Sequence, residues 1–114
     1  MPIKTGLAEI REKELKNELE RLIPEIIKLD VEKIILFGSL VTGEIHKASD
    51  IDLIVVKRTY KRFLDRLDEF YSQLNHKVAI DIFVYTPEEF EEMKESNSFI
   101  KRALNQGLIV YEKE

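Results

Sequence analysis

The stretch from Lys33 to Val56, KIILFGSLVTGEIHKASDIDLIVV, constrains the fold more than any other part of the chain. An apolar run, Ile34-Ile35-Leu36-Phe37, stops at Gly38-Ser39. A polar connection containing Gly43 follows, and Asp50-Ile51-Asp52-Leu53 opens a second apolar run. Both runs have the length of strands and are bounded by turn residues. Successive strand side chains point to opposite faces, so Asp50 and Asp52 share one face while Ile51 and Leu53 fill the other. Two carboxylates about 7 Å apart on one pleated face repel each other unless a cation lies between them.

The remaining elements are consistent with a sheet covered by helices. Apolar residues from Leu7 to Leu29 keep a helical period, with charges on the other faces. Pro24 is expected to kink this helix or to start a second one. Charged positions such as Glu9, Lys13, Glu14 and Glu18 read as solvated surface. Val31–Phe37 is the first strand and Asp50–Val56 the second. The second is apolar on both faces after Asp52 and is therefore central. A helix over Tyr60–Leu74 follows, in which Tyr60, Phe63 and Tyr71 fit a core stripe. The third strand, Val78–Tyr85, places Ala79, Asp81, Phe83 and Tyr85 on one face. Thr86-Pro87-Glu88-Glu89 has the composition of a helix start, giving a helix over Pro87–Lys94. A last helix runs from Ser96 or Ser98 to Asn105 and stops at Gly107, before a short strand at Leu108–Tyr111. The predicted fold class is α/β: a small mixed sheet of three to four strands, helices mainly on one side, and three Asp directed to the open side. Residues 1–114 form one domain.

Composition narrows the function. The chain has 114 residues and no cysteine, which removes disulfides, thiolate metal sites and a Cys nucleophile. Its apolar runs are too short to span a membrane. The charged N-terminus lacks the apolar centre of a signal peptide, so the expected location is cytoplasmic. A net charge of −4 argues against general nucleic-acid binding, so any nucleotide must be held by a local device.

Such a device is present. Magnesium takes one or two protein carboxylates and completes its shell with water and substrate phosphates. Asp50 and Asp52 meet that need, and Asp81 can join them from a neighbouring strand. Three carboxylates can hold two cations about 3.5–4 Å apart, the arrangement that serves phosphoryl and nucleotidyl transfer. Gly38 lets backbone N–H groups approach a phosphate and Ser39 adds a hydroxyl. Ser39 is not a hydrolase nucleophile, because no GxSxG elbow surrounds it. His46 and His76 read as loop residues. The basic run Lys57-Arg58 to Lys61-Arg62 reads as a solvated helix face.

Gly38-Ser39, ten residues, then Asp50-Ile51-Asp52 resembles the GS-x10-DxD signature of the DNA polymerase beta nucleotidyltransferase superfamily. Asp81, within AIDIFVY, stands where that superfamily places its third carboxylate. The chain's size and the stretch YTPEEFEE resemble the minimal nucleotidyltransferases (MNT), the MntA-type antitoxins of HEPN/MNT toxin–antitoxin pairs. The likeness extends from about Leu22 to Tyr111. It implies that Asp50, Asp52 and Asp81 are the metal-binding and catalytic residues, with two magnesium ions. It implies that Gly38 and Ser39 bind the nucleotide, and that AMP passes from ATP to a tyrosine of a HEPN-domain RNase toxin, with which the chain assembles. A small-molecule acceptor and a nucleic-acid template both fit less well, since no further domain is there to bind them. One departure stands out. Family turns of the pattern GSRARG carry arginines where this chain has Leu40 and Thr42. Lys47, Lys57 and Arg58 are the candidates to replace that charge. The alternative is a catalytically weak or inactive module that neutralises a partner by direct contact.

Overall fold

The computed structural model describes residues 6–114; the first five residues of the charged N-terminus lie outside the described residues. The elements are α1 (Gly6–Ile27), β1 (Lys33–Phe37), α2 (Ser39–Thr42), β2 (Ile51–Val56), α3 (Phe63–Gln73), β3 (Ile80–Tyr85), α4 (Pro87–Ser96), α5 (Ser98–Gln106) and β4 (Leu108–Glu112). The four strands form one sheet in the order β3-β2-β1-β4. The β1 strand is antiparallel to both β2 and β4, and β2 is parallel to β3 through the α3 crossover. The expected α/β fold with a mixed sheet is the observed one.

Alternation along the strands creates two cores. Ile34, Leu36, Ile51, Leu53, Val55, Ile80, Ile82 and Val84 face α1 and α3, where Leu15, Leu22, Ile26 and Phe70 bury them. On the other face Ile35, Ile54, Val56 and Tyr85 meet Phe90, Ile100 and Ala103 of α4 and α5. The longer helices thus cover one face and two shorter ones part of the other. That second face is closed at the carboxyl ends of β2 and β3. It opens at their amino ends, where Asp52 and Asp81 lie.

Several local expectations need correction. α1 continues through Pro24 rather than giving way there to a second helix, because a proline costs one N–H within the helix and Lys28 N–H still reaches the Pro24 carbonyl at 3.2 Å. Tyr60 is fully exposed rather than part of a core stripe, since α3 begins only at Phe63 and leaves Tyr60 in the preceding loop. Glu18 is buried, not solvated, and accepts hydrogen bonds from the Lys77 and Val78 amides. Its position between Leu15, Leu19 and Leu22 puts it on the packed side of α1. Helix α4 starts as the sequence indicates, with a capping box between Thr86 and Glu89 and Pro87 in the first turn.

Candidate active site

Strand register determines which carboxylates meet. Asp52 of β2 pairs with Asp81 of β3 in the parallel ladder, and with Phe37 of β1 on its other side. Asp52 and Asp81 therefore stand side by side on the face that α4 and α5 leave open, Asp52 half-buried and Asp81 exposed. Burial first, then the charges of Asp81 and Asp50, and last a hydrogen bond with the Asp81 side chain push the Asp52 carboxyl up to about 6. Asp50 precedes the ladder but is near enough to repel Asp52. Among the described residues no lysine or arginine forms an ion pair with any of the three.

The turn after β1 closes one side of this cluster. Gly38 has φ 80° and ψ −155°, a conformation that essentially only glycine adopts. A Cβ added there would overlap Oδ2 of Asp52 and lie 3.1 Å from its Cγ. Glycine is therefore required twice over, by its backbone angles and by the approach of the carboxylate. Ser39 opens the single-turn helix α2, whose Val41 and Thr42 amides bond back to the Gly38 carbonyl. The Ser39 and Leu40 amides have no acceptor among the described residues, as expected at a helix start. Two unengaged N–H groups beside a carboxylate cluster suit a phosphate.

The loop that delivers Asp50 is tightly tied. Ser49 N–H donates to the His46 carbonyl at 3.0 Å, and His46 N–H donates to Ser49 Oγ at 2.9 Å. From α1, Arg11 Nε donates to the Ser49 carbonyl at 2.8 Å. His46 thus belongs to the loop's own scaffold, with Nδ1 accepting from Ala48 N–H at 3.2 Å. His76 lies in the turn before β3, where Nδ1 is 3.0 Å from the Val78 carbonyl.

An apolar wall flanks the carboxylates. Phe37, Phe83 and Phe99 pack in tilted and edge-on contacts with centroids 5.3–6.2 Å apart. Alternation puts Phe83 on the face of Asp81, but nothing in the sequence indicates that Phe99 of α5 completes the group. Two candidate cations are ruled out by position. Lys57 and Arg58 follow the carboxyl end of β2, while Asp52 is near its amino end. Lys57 is held by the Leu29 carbonyl and Glu69, and Arg58 by Glu32 and Glu88. The basic run is therefore neutralised by neighbouring acids. Lys47 remains exposed in the loop before Asp50.

Among the described residues no three acidic or histidine side chains are gathered closely enough to enclose a metal ion by themselves. The donor set still suits magnesium, which uses few protein oxygens and takes the rest from water and phosphates. A like-charged Asp pair with no basic partner is an arrangement that a hard divalent cation relieves.

The nucleotidyltransferase domain family matches residues 12–110, most of the chain. The chain belongs to that family. Among solved structures, this nucleotidyltransferase domain is similar to a protein from Sulfolobus solfataricus described as a nucleotidyltransferase, with TM-score 0.68 and 17% identity over 96% of this chain and 91% of the other. That likeness supports the fold. A toxin–antitoxin structure with AMP-PNP overlaps more loosely, with TM-score 0.45 and 22% identity over 90% of this chain and 74% of the other. No curated protein matches the chain. Among the described residues no helix is long and apolar enough to cross a membrane.

Proposed function

We propose that this nucleotidyltransferase domain is a magnesium-dependent protein adenylyltransferase. It moves AMP from ATP onto a tyrosine of a HEPN-domain RNase toxin and so acts as that toxin's antitoxin. The observation that carries the reading is the adjacent register of Asp52 and Asp81, with Asp50 beside them and Gly38 packed against Asp52. The toxin and its tyrosine rest on the GS-x10-DxD resemblance. The protein acts in the cytoplasm.

Two bound magnesium ions would offset the triphosphate charge and lower the barrier at the α-phosphorus. Asp50 and Asp52 would hold them, with Asp81 completing the set. The Ser39 and Leu40 amides and the Ser39 hydroxyl would orient the phosphates against the Gly38 turn. The acceptor hydroxyl, placed over Asp81, would give up its proton there as its oxygen bonds to the α-phosphorus. The bond from that phosphorus to the bridging oxygen breaks and pyrophosphate leaves. Phe37, Phe83 and Phe99 would keep water from one side of the reacting atoms.

Incubation with labelled ATP, magnesium and the HEPN partner should label the partner. Asp50→Asn and Asp52→Asn should each abolish labelling, and full labelling by both variants would rule the mechanism out.

One observation favours a second reading. The turn has no arginine, and Lys57 and Arg58 are at the wrong end of β2 to replace one. A domain short of positive charge at the triphosphate could neutralise its partner by contact alone. Calorimetry separates the two: tight partner binding without magnesium-dependent ATP binding supports the contact module.

A further inference from the structure

The three carboxylates are not equally well anchored. Asp52 lies on β2, which is bonded to β1 on one side and β3 on the other, so the ladder fixes its backbone. Asp81 lies on β3, an outer strand of the sheet. Asp50 precedes the ladder altogether. Backbone groups on an outer strand have no partner strand, and the segment is free to fray unless another group takes them.

A helix supplies that group at each place. The Tyr71 hydroxyl of α3 donates to the Ile80 carbonyl at 3.1 Å and accepts from Ile82 N–H at 3.0 Å. It thus bridges the two residues on either side of Asp81, where the next strand of a larger sheet would pair. Arg11 of α1 takes the carbonyl of Ser49, the residue before Asp50, and Ser49 itself is buried. Glu18, two turns after Arg11 on α1, holds the Lys77 and Val78 amides that lead into β3. The phenol ring of Tyr71 also packs edge-on against His76. Simple core filling would need none of these polar contacts, and a phenylalanine would serve at position 71.

We infer that Tyr71 and Arg11 are positioning residues: they hold the backbone on either side of Asp81 and just before Asp50, and so set the spacing of the outer carboxylates around the bound cation. The inference rests on the nucleotidyltransferase reading above. Groups that orient metal ligands without touching the metal typically account for about 10–100-fold in metal affinity or activity.

The test uses Tyr71→Phe, Arg11→Ala and Arg11→Lys in the full chain, with Mn2+ binding followed by electron paramagnetic resonance in the presence of a non-hydrolysable ATP analogue. Tyr71→Phe removes one oxygen and leaves the ring in place, so the fold should persist. Tyr71→Phe and Arg11→Ala should each raise the half-saturating Mn2+ concentration about tenfold. The transfer rate at saturating metal should stay close to that of the wild type. Arg11→Lys should recover most of the lost affinity, since an ammonium can still donate to the Ser49 carbonyl. In parallel, the Ile82 amide should exchange its hydrogen about tenfold faster in Tyr71→Phe. Wild-type Mn2+ affinity in both Tyr71→Phe and Arg11→Ala would overturn the inference. A wild-type protein that neither binds Mn2+ with nucleotide nor transfers AMP would instead overturn the enzymatic reading and the metal role with it. The exchange rates would then judge the backbone clamp alone, and an unchanged rate at Ile82 would dispose of it.

Discussion

Gly38 and Asp52 touch across the end of β1: the glycine has no Cβ because the Asp52 carboxylate occupies the space where one would be. The contact sets the Gly38 turn directly against the carboxylate cluster, so any side chain at position 38 must displace Asp52. Gly38→Ala should lower stability by about 2–5 kcal/mol, from the disfavoured backbone angles and the forced displacement of Asp52. Urea unfolding measures the first effect. Loss of magnesium-dependent nucleotide binding in the remaining folded protein measures the second.

The Asp52 carboxyl, pushed up to about 6, gives a pH prediction. A carboxyl that titrates higher in the folded chain than in the unfolded one binds protons better when folded. Its stabilising contribution is complete below the unfolded value of 3.8 and is lost as pH rises towards 6. The loss is at most about 3 kcal/mol, less what water at the open rim screens. Asp52→Asn should therefore be more stable than the wild type at pH 7–8, with the gap closing below pH 4. Thermal melts across that range check it, and a variant less stable at pH 8 contradicts it. Added magnesium should stabilise the wild type and leave Asp52→Asn unaffected.

Lys57 is structural in this chain. It bonds to the Leu29 carbonyl, pairs with Glu69 at 3.6 Å and lies over the Phe70 ring. Lys57→Met should cost about 1–3 kcal/mol of stability, because partly buried acceptors lose their donor. Its affinity for magnesium–ATP should match the wild type when titrated by calorimetry. A tenfold weaker affinity would place Lys57 at the phosphates after all.

Arg66 carries the other large polar effect. It is 6% exposed and donates to the Val84 and Lys61 carbonyls and to Glu89. Arg66→Met should destabilise by about 2–4 kcal/mol, since the Val84 carbonyl stays buried without a donor. Denaturant unfolding gives the value.

The sequence revealed what depends on alternation and spacing. Asp50, Asp52 and Asp81 could be placed near one another because two strands of period two each put their Asp on a predictable face. Gly38 could be singled out because a glycine that halts an apolar run implies a special backbone. What stayed hidden depends on which helix crosses which strand. Arg11 and Glu18 look like any charged helix residues until α1 is laid across the loops before Asp50 and β3. Tyr71 looks like core until its hydroxyl is seen at the edge of β3. Phe99 joins Phe37 and Phe83 only because α5 packs beside α4 on that face of the sheet, at the border of the part left open. The short strand boundaries also differ from expectation: Val31, Asp50 and Val78 precede their ladders, and only pairing partners decide that.

The parallel pairing of β2 with β3 has a further consequence for how the protein is made. As the chain leaves the ribosome, the Gly38 turn and Asp52 can reach each other as soon as the first hairpin is free. Asp81 joins them only after the whole α3 crossover has emerged. Early in synthesis Asp52 thus meets only the charge of Asp50, and the larger repulsion from Asp81 sets in as β3 docks.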